Sequence, residues 1–159
     1  MSEDNLARMM ALAEEFFDMK NDPDQLTVDG ETMARLKEIH PGTMSEESEK
    51  NGPIAWLLVI PTTGALMKEF IGGAINEREL LERTPPGGSY DALYLCSALV
   101  LPEHRGKGLA RRLASGAIRS ILRDHEIRSL FYWGFSGAGD SLAASIAREF
   151  NLPLYGRKA

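Results

Sequence analysis

The chain has 159 residues, of which 43% are hydrophobic and 26% are charged, a balance typical of a water-soluble globular protein. A chain of this length buries roughly 70% of the surface that its unfolded form exposes, so it can form a core without disulfide or metal cross-links. We therefore expect one domain over residues 1–159. The net charge of −5 argues against nucleic acid and anionic membranes as partners, because both bind basic protein surfaces.

Cysteine and histidine are too few and too scattered for a metal centre. Cys96 is the only cysteine, and His40, His104 and His125 show no ligand spacing to one another or to Cys96. We therefore expect no metal. No stretch approaches the ~20 apolar residues of a membrane span, and the N-terminus lacks a signal-peptide pattern. These patterns predict a cytoplasmic protein.

Charge is unevenly distributed along the chain. Residues 1–50 carry 13 acidic and 5 basic side chains, whereas residues 51–159 carry 10 acidic and 13 basic ones. Seven of the basic residues lie between positions 104 and 128. Such a cluster is either a solvated helix face or an anion site, and the glycines beside it favour the anion site.

Hydrophobic periodicity and turn residues predict alternating helices and strands. The first twenty residues, with Phe16 and Phe17, predict an amphipathic helix that either covers a sheet or mediates a dimer. The further predicted elements are, in chain order, a helix over 30–39, a long loop over 40–53, a strand over 54–60, a helix over 66–83, a turn over 84–89, a strand over 91–101, a helix over 108–123, a strand over 129–135 and a helix over 140–150. This alternation indicates an α/β fold with a largely parallel sheet covered by helices on both faces.

The most informative segment is VLPEHRGKGLARR, residues 100–112, which contains a strand end, a proline, two glycines and a helix start. A helix N-terminus has unpaired backbone N–H groups and carries the positive end of the helix dipole. Gly106 and Gly108 permit positive φ values and have no side chain that would hold a phosphate away. The segment therefore predicts a diphosphate site formed by backbone amides.

Other motifs of similar appearance do not match. A P-loop requires Ser or Thr after its lysine, but Gly108 follows Lys107. The dinucleotide fingerprint GxGxxG requires glycine or alanine where Arg111 stands. A hydrolase nucleophile elbow around Ser136 lacks its last glycine, which is Ala138, and every histidine precedes the serine.

Residues 105–110, RGKGLA, resemble the acyl-CoA-binding motif of the GNAT-type N-acetyltransferase superfamily, whose pattern is Gln or Arg, two residues, Gly, one residue, then Gly or Ala. Residues 100–102, VLP, resemble the family's strand end before that loop. The resemblance implies a single-domain GNAT-like α/β fold with a mixed central sheet covered by helices on both faces. In it, residues 1–50 would form a helical N-terminal segment and loop, and residues 54–159 the core with the acyl-CoA site.

The resemblance also implies a function, which is transfer of an acetyl group from acetyl-CoA to a primary amine of a small molecule or peptide, by direct attack in a ternary complex. Backbone amides of the loop would hold the coenzyme diphosphate, and the preceding strand would pair with the pantetheine arm. The residues thus assigned to the coenzyme are Ala98, Leu99, Val100, Arg105, Gly106, Lys107, Gly108, Leu109, Ala110 and Arg111. The acidic residues of 1–50 either attract a cationic acceptor, such as a polyamine, an aminoglycoside or a Lys-bearing peptide, or keep the protein soluble. The alternative function is a catalytically inactive acyl-CoA-binding sensor or interaction module of the same fold.

The sequence departs from the family at two places. The family's antiparallel hairpin ahead of the coenzyme-binding strand has no counterpart among the predicted elements. If Ser141 takes the place of the family's Asn at the start of the last helix, Arg148 takes the place of the Tyr that protonates the leaving thiolate. Tyr94 and Cys96 either face the acceptor cleft or pack in the core, and Tyr155 could replace the missing acid, so the catalytic residues stay unassigned.

Overall fold

The computed structural model describes residues 4–19, 30–134 and 137–158 of the chain. Within these residues it contains a five-stranded sheet and six α-helices. The helices are α1 (Asn5–Met19), α2 (Gly30–Ile39), α3 (Gly64–Ile71), α4 (Glu77–Arg83), α5 (Leu109–Asp124) and α6 (Gly137–Phe150). The strands are β1 (Met44–Glu49), β2 (Gly52–Thr62), β3 (Ala92–Val100), β4 (Ser129–Gly134) and β5 (Leu154–Lys158).

The sheet has the order β1-β2-β3-β4-β5 and mixes two kinds of pairing. Strands β1, β2 and β3 pair antiparallel, whereas β3, β4 and β5 pair parallel. The mixed α/β sheet is confirmed, and the interpretation of the apolar pattern as a largely parallel sheet is wrong. An apolar run indicates that both faces of a strand are buried, but the direction of its neighbours depends on how the strands are connected.

Residues 40–53, predicted as a long loop, contain an edge strand and a hairpin turn. The strand β1 has the sequence MSEESE, and its last four side chains are exposed, so no apolar face marks it as a strand. It pairs antiparallel with β2 through a turn at Lys50 and Asn51. Charged side chains are common on such edges because they discourage pairing with another chain. The hairpin that was missing from the predicted elements is therefore present ahead of β3.

The helix predicted over 66–83 is two helices separated by a turn. Gly73 has a φ of +81°, a left-handed conformation that follows the end of α3 and suits glycine. Asn76 begins α4 with a capping box, in which its side chain accepts from the Glu79 amide and the Glu79 side chain accepts from the Asn76 amide. The chain also forms β5, which no sequence pattern predicted and which extends the parallel half of the sheet.

Helices pack on both faces of the sheet, as the contacts of β4 show. Successive side chains of a strand point to opposite faces. Phe131 and Trp133 contact Phe70 of α3, with ring centroids 5.9 Å apart in each pair. Tyr132 lies between them in sequence and is close enough to Asp140 of α6 for that carboxylate to raise the Tyr132 pKa. The helices α3 and α6 therefore lie on opposite faces.

The helix α5 packs through the side chains that the sequence predicted to face inward. Leu109, Ala117 and Ile121 are buried, and Leu113 is half-buried. The arginines expected to face solvent, which are Arg112, Arg119 and Arg123, are exposed. This orientation holds the N-terminus of α5 at the end of β3.

The helix α1 packs on β2 and β3 through Met9 and Ala13, which are buried in an apolar cluster with residues of both strands. Arg8 adds a bidentate ion pair with Glu103, whose two oxygens each lie 2.7 Å from a guanidinium nitrogen. The predicted helix is confirmed over α1, and it covers the sheet. The side chains of Phe16 and Phe17 lie outside the part of the chain that is described.

Candidate active site

The segment between β3 and α5 is a glycine-rich loop that leads the chain from the sheet into a helix. It begins with a 3-10 turn over Pro102–His104. Gly106 and Gly108 follow with φ values of +79° and +74°, which side chains of L-residues disfavour. A Cβ atom at either glycine would meet no other heavy atom within 4 Å. The space in front of the loop is therefore open.

The backbone amides of this loop have no protein acceptor among the described residues. The amides of residues 106–111 donate no hydrogen bond to the chain, and the first bonded amide is that of Arg112, which donates to the Gly108 carbonyl at 3.0 Å. They lie at the positive end of the α5 dipole. Such a row of amides is suited to bind an anion, and a diphosphate in particular.

The strands β3 and β4 are paired over only part of their length. Their parallel register runs from Ala92 with Ser129 to Leu95 with Tyr132, and no further pair follows among the described residues. At Cys96 the register between β3 and β2 shifts, which marks a β-bulge. The two strands therefore diverge towards the glycine loop and leave the end of β3 open on this side.

This open edge of β3 presents main-chain groups from alternate residues. The Val100 carbonyl accepts the Nε–H of Arg105 at 2.9 Å, so Val100 faces away from β2. Because successive residues of an antiparallel strand alternate between its two neighbours, Ala98 faces the open edge and Leu99 faces β2. An extended ligand can therefore pair with the main chain of Ala98 and with the amide of Val100, as an added strand would.

A cavity of about 730 Å³ lies along this opening, a volume typical of small-molecule and cofactor sites. We call it the main cleft. Arg105 and Ala110 line it beside the glycine loop, and Tyr132 and Trp133 line it where β3 and β4 diverge. The main cleft therefore joins an anion site at one end to the diverging strands at the other.

A protein-family model described as the acetyltransferase (GNAT) family matches residues 46–144. This range includes β3, the glycine loop, α5 and β4, which together form the main cleft. The chain belongs to the GNAT acetyltransferase family. Acyl transfer is the reaction class of that family, and a comparison with individual curated proteins finds no match.

Two further properties apply to the described residues of this GNAT chain. None of their helices is both long enough and apolar enough to cross a membrane. They also contain no group of three or more His, Cys, Asp or Glu side chains positioned to hold a metal ion.

The residues that the resemblance assigned to the coenzyme lie together at one end of the main cleft. Those that line it are Ala98, Leu99, Val100, Arg105 and Ala110. Those exposed in the adjoining loop are Gly106, Lys107 and Gly108. Leu109 is buried and offers only its amide. The Arg111 Nε lies 3.4 Å from the Glu149 carboxylate of α6, so this guanidinium is already paired.

Tyr94 packs in the core and does not line the main cleft. Its hydroxyl donates to the Glu77 carboxylate at 2.6 Å, and both residues are fully buried. Burial and, after it, the Glu77 carboxylate raise the pKa of Tyr94 well above its usual value. The core interpretation of Tyr94 is therefore confirmed, and its suggested place in the acceptor cleft is wrong.

Replacing Tyr94 by phenylalanine tests this pair. The Tyr94→Phe variant leaves the buried Glu77 carboxylate without one of its donors, so we expect the free energy of unfolding to fall by about 1–3 kcal/mol. Urea denaturation followed by circular dichroism measures the change. The control is Tyr155→Phe, because the Tyr155 side chain is exposed. Equal stability of the two variants would contradict the importance of the Tyr94–Glu77 bond.

Cys96 lies at the bulge and lines the main cleft. It is buried, and its Sγ is 3.7 Å from the Glu77 carboxylate. A neighbouring carboxylate and burial both disfavour a thiolate, which is the nucleophilic form of cysteine. Cys96 is therefore suited to shaping the cleft and not to carrying an acyl group.

Tyr132 is the residue of the cleft that sequence reasoning missed. It is the last residue of β4 that pairs with β3 before the strands diverge, and it interacts electrostatically with Asp140 in the first turn of α6. Burial and, after it, the Asp140 carboxylate raise the pKa of Tyr132, so the hydroxyl stays protonated at neutral pH. No motif marks this residue, because its position depends on where β3 and β4 separate. Tyr155, the candidate from sequence, is 47% exposed and does not line the cleft.

Proposed function

We propose that the protein is an N-acetyltransferase that transfers the acetyl group of acetyl-CoA to a primary amine of a small molecule or peptide in a ternary complex. The observation that carries the proposal is the row of free amides at residues 106–111 beside the main cleft. Acetyl-CoA, when bound, supplies an activated acyl carbon and a thiolate leaving group. The GNAT membership of the chain supports this reaction class.

The residues of the cleft fit an acyl-coenzyme A. The free amides can hold its diphosphate through charge-assisted hydrogen bonds of roughly 1.5–3 kcal/mol each. The main chain of Ala98 and the amide of Val100, which face the open edge, suit the amides of the pantetheine arm. The apolar walls between Leu95 and Ile146 suit its aliphatic parts. The diphosphate and the pantetheine arm therefore each have a chemically matched surface along one cleft.

Tyr132 is the proposed proton donor to the departing sulfur. In the reaction, the acceptor ammonium releases one proton to solvent, its nitrogen bonds to the acyl carbon, and the carbon–sulfur bond breaks. The Tyr132 hydroxyl gives its proton to the sulfur and regains one from the acylated nitrogen. In this proposal the nearby Asp140 orients the hydroxyl. The raised pKa of Tyr132 supports this role, because a general acid must be protonated at the working pH.

Calorimetry and a thiol-release assay test the proposal. Purified protein should bind acetyl-CoA with one-to-one stoichiometry, and addition of a suitable amine should release free thiol in proportion to the acetylated product. A failure to bind acetyl-CoA would reject the proposal.

The second candidate is the inactive acyl-CoA-binding sensor. The feature in its favour is Arg148, an exposed residue of α6, which takes the position of the family's tyrosine if Ser141 takes that of its asparagine. Binding of acetyl-CoA without thiol release across a broad amine panel would favour the sensor over the enzyme.

The remaining expectations rest on the sequence alone. They are a single domain, a cytoplasmic location, a possible homodimer, and no partnership with nucleic acid or membranes.

A further inference from the structure

A second apolar cavity lies beside the main cleft, and we call it the side groove. It has a volume of about 570 Å³ and lies between α1, α2 and the strands β1, β2 and β3. Apolar side chains form most of its described lining, among them Met33, Leu36 and Trp56. Leu6 and Met10 also line it and are 48% exposed. Apolar surface is therefore accessible to a ligand at the mouth of the groove.

The side groove and the main cleft share part of their walls. Leu57, Leu58, Ser97 and Leu99 line both cavities. Ser97 and Leu99 belong to the part of β3 that lies beyond its last pair with β4, which joins Leu95 to Tyr132. The side groove therefore adjoins the main cleft along β2 and β3. Ser97 carries the one polar side chain among these four shared residues.

The two charged residues of the described groove lining lie at its surface and carry charges of opposite sign. They are Lys37 and Glu46, both exposed. The two carboxylate oxygens of Glu46 already accept hydrogen bonds, one from Trp56 Nε1 at 2.7 Å and the other from Ser48 at 3.0 Å. An ammonium group on the body of the ligand, placed against the apolar walls and away from this surface pair, would lose hydration. This lining therefore matches a ligand with one ammonium group better than a polycation.

We propose that the side groove binds the acceptor, and that its substrate class is a primary amine with a single ammonium group on an apolar aliphatic or aromatic body. This inference rests on the proposed acetyl transfer. The apolar body lies against α1 and α2, and the amine reaches the shared wall at Ser97. Apolar surroundings favour the neutral form of an amine, which is the form that attacks the acyl carbon. The polyamine or aminoglycoside acceptor that the acidic N-terminal residues suggested is disfavoured.

A matched pair of ligands tests the substrate class. Hexylamine and 1,6-diaminohexane have the same carbon chain and differ only in the second amino group. With acetyl-CoA as donor, we expect kcat/KM for hexylamine to exceed that for the diamine by about tenfold or more, because the diamine must bury a second charge. Calorimetric titration of both amines into the complex with coenzyme A should give the same order of affinity, independently of turnover.

A matched pair of variants tests the location. Met10→Glu introduces a carboxylate at the groove mouth, and Ala11→Glu introduces the same group at the next residue of α1, which is exposed and lines neither cavity. Each new carboxylate lies four residues before a native one, at Glu14 and Glu15 respectively, so the effects on the helix are comparable. Met10→Glu should raise the hexylamine KM and dissociation constant by about tenfold, whereas Ala11→Glu should leave both unchanged.

The outcomes separate this inference from the proposed function. A preference for 1,6-diaminohexane or spermidine, no binding of hexylamine, or equal effects of the two α1 variants would overturn the substrate class while acetyl-CoA binding still stood. Loss of acetyl-CoA binding in the wild-type protein would overturn both. Acetyl-CoA affinity that stays the same in Met10→Glu, together with weaker hexylamine binding, would support the inference.

Discussion

The Gly108→Glu variant is expected to lose acetyl-CoA binding while it remains folded. The new side chain would extend into the open space in front of the amides of residues 106–111, and its charge would repel a diphosphate. Two charge-assisted hydrogen bonds contribute roughly 1.5–3 kcal/mol each to the binding free energy. Their combined loss therefore exceeds the free-energy change of about 2.7 kcal/mol that corresponds to a 100-fold change in affinity. Calorimetry should therefore show at least a 100-fold increase in the dissociation constant.

Gly73→Glu is the matched control for this variant. Gly73 has a φ of +81°, similar to the +74° of Gly108, and its Cβ position is also open, but it lies in the turn between α3 and α4. The two variants therefore carry the same backbone strain and the same added charge at different places. The Gly73→Glu variant should bind acetyl-CoA as the wild type does. Equal loss of affinity in both, or normal affinity in Gly108→Glu, would show that the loop is not the diphosphate site.

The Tyr132→Phe variant is expected to lower kcat by about 100-fold or more, which is the range of a lost general acid. Its KM for acetyl-CoA should change little, because the amides at residues 106–111 and the edge of β3 are unaltered. The raised pKa of Tyr132 means that the wild-type hydroxyl is protonated throughout the neutral range. The rate loss should therefore be similar from pH 6 to pH 8. Steady-state thiol release with saturating hexylamine measures it.

Tyr155→Phe is the control for the catalytic variant, since it removes a hydroxyl that is exposed on β5 and does not line the cleft. Its kcat should equal that of the wild type. A larger loss in Tyr155→Phe than in Tyr132→Phe would reverse the assignment of the acid. Thermal melts of both variants separate a catalytic loss from unfolding.

The site at residues 106–111 was accessible to sequence reasoning because its chemistry is local. Glycines between a strand end and a helix start determine both the φ values and the free amides, and neighbours distant in sequence have little part in either. The same locality explains why the inward face of α5 was predicted correctly, since Leu109, Ala117 and Ile121 follow the helical period. Edge strand β1 was missed for the opposite reason, because its polar residues carry no periodic apolar signal.

The GNAT family, its acyl-transfer reaction class and the glycine loop at residues 106–111 could be predicted from the sequence. The folded chain was needed to show that β3 and β4 separate after Leu95 and Tyr132, that Tyr94 is enclosed with Glu77, and that an apolar groove adjoins the main cleft at Ser97. These features arise from contacts between segments far apart in the chain, and such contacts are set by the packing of whole elements. The proposed acid and the proposed acceptor groove therefore became visible only in the folded protein.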